Sequence, residues 1–340
     1  MLVATAGADE PVVRLGGGSV LAWATVEEGA AVLASEDEFT RHMSPLDRQA
    51  RLHRDDPVSD AEYRAFAAGA VEPWGEGEKR LVAEALDGLA ARLEALHVTL
   101  PPRVLLVKTS GAEEGGAAYT RGTAVMLPRK VLASTPRSLR RLVCHELFHV
   151  LSRHRPDLRE QLFAIIGFVP CGDVVLPGDL QARRLTNPDA PGFDHAIRVQ
   201  CDGAEQWMVP VLFFRTGAPQ PAPEQPFFKA MEFRLLAVAI EGMPPCGSPL
   251  LDAAARPILR TPEEVGGFFE QTGRNTGYLI HPEEILADNF ALLVTGASGA
   301  AEGVRNPAIL GRIQQVLRED AVGPTVDIDG RPRERPEAGR

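Results

Sequence analysis

The chain has 340 residues, with 46 acidic against 36 basic side chains and a formal charge of -10. An apolar fraction of 44% and a charged fraction of 24% are those of a globular chain that buries a core, which excludes a largely disordered one. The acidic balance, with no sustained basic run, argues against a phosphate backbone as partner, so no nucleic acid is expected.

In chain order, the opening "MLVATAGADEPVVRLGGG" lacks the basic and apolar regions of a secretory leader. No later stretch reaches the roughly 18 apolar residues of a membrane span. A cytoplasmic protein without a membrane partner is the expectation. Apolar runs at Val12 to Leu15 and Val20 to Ala24, separated by glycines, suit short strands or an irregular start. Ser44 with Pro45, and Ser59 with Glu62, are helix starts. From Glu76 to Leu96, an apolar side of Leu81, Ala85, Leu86, Leu89, Leu93 and Leu96 predicts one continuous helix. Residues 1–98 therefore read as a helical lead-in.

Beyond Pro101 and Pro102, Val104 to Val107 and Gly122 to Leu127 read as strands around the loop "GAEEGGAA". Thr135 and Pro136 then cap a helix that carries "CHELFHVLSRH", residues 144–154, and Pro156 to Ile166 predicts another, ended by Gly167. The unit 99–167 is the first part of the core. From 168 to 260 short apolar runs such as "EQWMVPVLFFRTG" alternate with turn residues, which predicts a β-rich insertion. Within it "GAPQPAPEQP" reads as an exposed proline-rich connection. Residues 261–320 return to helix, at Pro282 to Leu293 and Pro307 to Leu317, and 321–340 read as a fraying tail. No internal repeat is present. The four cysteines are too scattered for a disulfide framework and are expected to be free thiols, with a Cys171 to Cys201 pairing left open.

"HELFH" is an H-E-x-x-H pattern. On a helix His145 and His149 lie one turn apart on the same face, where two imidazoles can converge on one ion, and Glu146 stands beside them to take a proton from water. Apolar Leu142, Val143, Leu147, Phe148, Val150 and Leu151 surround them and predict burial. Two protein ligands are too few for zinc, so a third must come from elsewhere. His154 follows His149 by five residues, and Ser152 stands where the extended histidine motif needs glycine, so that motif fails. Further on, "HPEEILADNF" predicts a helix with Glu284 and Asp288 on one face. Glu283 is the neighbouring alternative ligand, rotated by about 100°.

This pairing of helices resembles the thermolysin-like zinc metallopeptidases, the gluzincins. The resemblance implies that His145, His149 and Glu284 ligate zinc, that Glu146 is the general base, and that Asp288 holds the ring of His145. It implies an α+β fold: a zincin-like metallopeptidase core with its active-site helix beside a mixed sheet, here carrying a β-rich insertion, since Glu284 follows His149 by 135 residues. The implied activity is hydrolysis of peptide bonds in a peptide or protein substrate. The strand Gly122 to Leu127 would either pair with that substrate or form sheet core.

Tyr278 is the preferred donor to an oxyanion, because Gly277 permits close approach, and Tyr119 is a weaker one. His281 either caps a loop or hydrogen-bonds the transition state. The same zinc chemistry on a non-peptide amide or ester, and a catalytically inactive zincin-like binding or structural protein, are the rival readings. No nucleotide motif is found. Cys144 reads as packing, and Asp194, His195 and Cys201 as a local polar network without a metal signature. Oligomeric state is not legible.

Overall fold

Strands and caps explain how two distant helices meet. The computed structural model describes residues 13–216 and 227–322. The first twelve residues, the proline-rich connection expected at 217–226 and the tail beyond 322 lie outside the described residues. Eleven described strands form two sheets. The first holds β1 (Val13–Arg14), β2 (Val20–Trp23), β3 (Arg103–Thr109), β4 (Tyr119–Arg121) and β5 (Ala124–Pro128), in the order β1-β2-β3-β5-β4. Its inner strands β2, β3 and β5 are parallel, whereas β1 and β4 run antiparallel, so the sheet is mixed. Parallel inner strands are covered on both faces and need continuous apolar runs, and every residue of Ala124–Pro128 is buried. A helix at Val26–Ala34 lies very close to this sheet: a Cβ on Gly29 would stand 2.7 Å from Val107 Cγ1, so only glycine fits.

Two expectations change here. The continuous helix over 76–96 is two helices, Glu76–Ala85 and Leu89–Ala95, because Gly88 adopts a left-handed φ of 74° and turns the chain. The apolar side survives the break, since Val82, Ala85, Leu86, Leu89 and Leu93 all enter one core. The strand expected from Gly122 begins at Ala124, and β5 pairs with β3 on one side and with β4 on the other over Ala124–Met126. Over those residues "GTAVML" is therefore sheet core rather than a free edge for a substrate peptide.

The second sheet holds β6 (Phe168–Pro170), β7 (His195–Cys201), β8 (Ala204–Phe214), β9 (Met231–Glu241), β10 (Cys246–Pro249) and β11 (Leu259–Arg260). Its order is β10-β9-β8-β7-β6, with β11 also on β9, and every pairing is antiparallel. Alternation along the strands divides its side chains. Ile197, Met208, Leu235 and Ala237 enter the main core, while Ala196, Val209, Leu236 and Val238 pack against Cys171, Val174 and Phe193. The β-rich insertion is thus a wall of the same α+β core.

The histidine helix, Pro136–His154, starts where Thr135 Oγ1 accepts the Ser138 N–H at 3.2 Å with Pro136 in the first turn. The glutamate helix, Pro282–Val294, starts where His281 Nδ1 accepts the Glu283 N–H at 3.1 Å. The two pack together, with the Phe148 and Phe290 rings 5.6 Å apart. No described helix is long and apolar enough to cross a membrane. All four cysteines are free, which leaves the Cys171 to Cys201 pairing unformed.

Candidate metal centre

His145 and His149 present their rings on one face of the histidine helix, with centroids 4.8 Å apart. Each is oriented from behind by a carboxylate of the glutamate helix: His145 Nδ1 lies 3.1 Å from Asp288 Oδ1, and His149 Nδ1 lies 3.0 Å from Glu283 Oε1. A carboxylate at Nδ1 fixes that nitrogen as the N–H donor and leaves the Nε2 lone pair free for a ligand. Both Nε2 atoms then face Glu284 Oε2, at 3.0 Å from His145 and 3.7 Å from His149. One donor atom from each of these three residues lies within 4.8 Å of the other two.

The residues present fit a divalent cation. His149 Nε2 is buried and has no hydrogen-bond partner. An orphaned buried polar atom costs about 1–3 kcal/mol, and an ion between the two imidazoles and the carboxylate would satisfy it. Burial raises the Glu284 carboxyl, but His149 and His145 outweigh that effect and hold it at about 2. Asn187 Nδ2 donates to the other oxygen of Glu284 at 2.5 Å. Asp288 is steadied in turn by the Thr276 hydroxyl, and Glu283 by that of Ser152.

Glu146 is 2% exposed, and its Oε2 accepts from Thr120 Oγ1 at 2.8 Å. Burial pushes its carboxyl up to about 7, against the pull of His145. Thr120 also donates its backbone N–H to Asp189 Oδ1 at 2.8 Å. Arg153 donates to the carbonyls of Thr120, Pro188 and Asp189, which ties β4 to the loop carrying Asn187 and Asp189.

The other sequence-predicted residues separate. Tyr278 is 43% exposed, and its ring stacks on His145 at 6.4 Å, at the mouth of a cavity beside the centre. His281 is buried and faces a different cavity, lined also by Asp194 and His195. Its Nδ1 caps the glutamate helix, which leaves Nε2 as a donor 3.9 Å from Asp194 Oδ1. Tyr119 is buried and donates to Glu113 Oε1 at 3.3 Å. Asp194 and Glu160 grip His195 at 2.6 Å and 3.0 Å, whereas Cys201, expected in the same network, reaches Asp202 instead; contrary to the expectation of no metal signature, Asp194, His195 and His281 offer donor atoms within 4.8 Å of one another and form a second group that could hold a metal ion. Sequence reasoning missed Thr120, Asn187 and Asp189, which carry no spacing signal, and it treated Glu283 as a rival of Glu284. The signal for Glu283 was present, since adjacent carboxylates splayed by about 100° can serve two histidines one turn apart.

No family model, curated protein or solved structure matches the chain. The likeness rests on the site itself: the His145-Glu146-x-x-His149 triad with a distal glutamate is the gluzincin zinc-binding arrangement. A clustered His-Glu-His-Glu set, with three candidate ligands and the Glu146 carboxylate beside them, supports an enzymatic metal site able to drive hydrolysis.

Proposed function

We propose that this chain is a zinc-dependent peptidase, with a peptide or protein as substrate, in which His145 Nε2, His149 Nε2 and Glu284 Oε2 hold the ion. Two imidazoles and one carboxylate are a donor set that suits zinc among the divalent ions and keeps a position open. Bound there, zinc supplies Lewis acidity, lowering the pKa of water toward 7 and polarising a carbonyl. Glu146, pinned by Thr120 beside the ligand histidines, accepts the proton of the attacking water and delivers it to the leaving amine. Partial desolvation and the negative charges of Glu284, Asp189 and Glu146 keep the Tyr278 phenol well above its usual pKa, so it stays a donor for the oxyanion. Asp288 and Glu283 hold the imidazoles in the ligating tautomer. We assign His281 to positioning through the helix cap it forms.

The convergence of both Nε2 atoms on Glu284 Oε2, each ring held from behind by its own carboxylate, carries this reading. We place 168–260 as an insertion that narrows access between the ligand helices, with 1–98 as lead-in and 99–167 and 261–320 as the split core. Four unpaired thiols support a cytoplasmic, reducing setting. The test compares an unbiased peptide library with small acyl amides and esters, using the zinc-loaded protein and Glu146→Gln. Cleavage of peptides that falls by about 10²–10⁴-fold in Glu146→Gln, at unchanged zinc content, is expected. Turnover confined to small acyl substrates moves the reading to a non-peptide hydrolase. Zinc without turnover of any substrate leaves the inactive binding protein.

A further inference from the structure

Away from the two ligand helices, Arg41 to Pro45 of the lead-in face residues between Asp173 and Arg184 across a cavity of about 490 Å³. Arg184 lines this cavity and is 2% exposed. A buried charge is costly unless it is paired and hydrogen-bonded. Among the described residues Arg184 makes no ion pair, and its guanidinium donates one hydrogen bond, from Nη2 to the Pro191 carbonyl. That bond spans the loop carrying Asn187 and Asp189. Its Nε is buried without a partner, and the centre of the Phe193 ring lies 4.2 Å from its Cζ. Burial lowers its pKa, but an arginine keeps its charge throughout the physiological range.

The carboxylates that act on Arg184 through space are committed elsewhere. Asp173 Oδ2 lies 3.0 Å from His42 Nε2, and its Oδ1 accepts the Phe193 N–H at 2.8 Å. Asp47 is held by Arg51 and accepts the Thr186 N–H at 2.9 Å, and Glu38 lines a different cavity. What remains to be satisfied is a set of donors. Gln181 Oε1 accepts the Leu176 N–H at 3.2 Å, which leaves its amide nitrogen as the unused group. Arg41 lines the same cavity, its side chain 59% exposed and its ion pair with Glu36 loose at 3.6 Å. A guanidinium presents its N–H groups in a planar fork that matches two oxygens of one carboxylate or phosphate. A cation here would meet like charge, and an apolar group would leave the donors unmet.

We infer that this cavity is a binding site for an oxyanion, the carboxylate or phosphate group of a small molecule, which pairs with Arg184 and takes further hydrogen bonds from Gln181 and Arg41. The site goes beyond the hydrolase reading and does not depend on zinc, so it is tested on the metal-free protein. Arginine Nε–H signals are followed by proton–nitrogen correlation NMR while orthophosphate or acetate replaces chloride at constant ionic strength. The Arg184 signal is the one absent from Arg184→Lys; should that variant not fold, proximity to the Phe193 ring identifies the signal in the wild type. A saturable shift with half-saturation at about 0.1–10 mM is expected, the range that two hydrogen bonds to a charged group supply. Gln181→Glu keeps the acceptor for the Leu176 N–H and puts a carboxylate in the wall. It weakens binding by about fivefold or more, the least that two like charges in contact cost in water. Saturation by orthophosphate alone identifies a phosphate site, by acetate alone a carboxylate site, and by both a site for either group. No saturation by either anion up to about 100 mM, or equal affinity in folded Gln181→Glu, overturns the inference.

Discussion

Replacing Glu283 by leucine tests whether His149 is a ligand because it is held from behind. Glu283 is 3% exposed, and its Oε1 lies 3.0 Å from His149 Nδ1. Without that acceptor the ring has no preferred tautomer, and a fraction of molecules present an N–H at Nε2, where a lone pair is needed. Removing such an outer partner lowers metal affinity by about 10–100-fold, equivalent to about 1.4–2.7 kcal/mol. Ser152 Oγ keeps its bond to the His149 carbonyl at 3.1 Å, so the hydroxyl is not stranded. The buried Nδ1–H is, and it costs the fold about 1–3 kcal/mol.

Zinc affinity is measured by competition with a chromophoric chelator, and thermal unfolding of the metal-free proteins checks that each variant folds. Glu283→Gln retains an oxygen acceptor without the charge, so its affinity falls between wild type and Glu283→Leu. Asp288→Asn makes the same change behind His145 and gives a loss of similar size. A folded Glu283→Leu that binds zinc within twofold of wild type refutes the reasoning, because His149 would then be oriented by packing alone.

Glu284→Ala is expected to lower zinc content far below one equivalent in metal analysis, and full occupancy would remove Glu284 from the ligand set. The grip on His195 makes stability depend on pH. Burial works against its charge, yet Asp194 and Glu160 raise its pKa to about 9 from the usual 6.5. A raised pKa stabilises the fold fully below about 6.5 and loses that contribution as pH climbs toward 9. Urea titrations of wild type minus His195→Gln should therefore show a difference of up to about 3 kcal/mol below pH 6.5, shrinking through pH 9; a flat difference contradicts the charge assignment. Cys144 and Cys171 are buried and their thiols are pushed up to about 12, whereas Cys246 is exposed. An aromatic disulfide reagent at pH 8 should react fast with one thiol per native chain, and rapid reaction of Cys144 would show that the histidine helix opens.

What was legible in the sequence was local. Histidines at i and i+4 and carboxylates at i and i+4 define helix faces without any knowledge of the fold, and it was the resemblance to the gluzincins that implied these two faces, His145 with His149 and Glu284 with Asp288, meet at one ion. Thr120, Asn187 and Asp189 come from a hairpin strand and a loop, and only tertiary packing brings them to the carboxylates they contact. The missed break at Gly88 has a different cause. Asp87-Gly88 is a turn dipeptide, but the apolar period continues in phase beyond it because both short helices face the same core, and the period was the stronger signal.

An insertion in sequence need not be an addition in space, and here the distinction bears on function. Strands that bury both faces cannot be lifted from a core as a surface loop can. Ile197, Met208 and Leu235 pack into the cluster that also contains Val143 and Leu147 of the histidine helix and Ile285 and Leu286 of the glutamate helix. The same segment supplies Asn187 to Glu284 and Leu212 to the cavity that Tyr278 borders. The 134 residues between His149 and Glu284 therefore do more than bridge two ligands. They pack against both ligand helices and build most of the wall of the cavity beside the candidate metal centre.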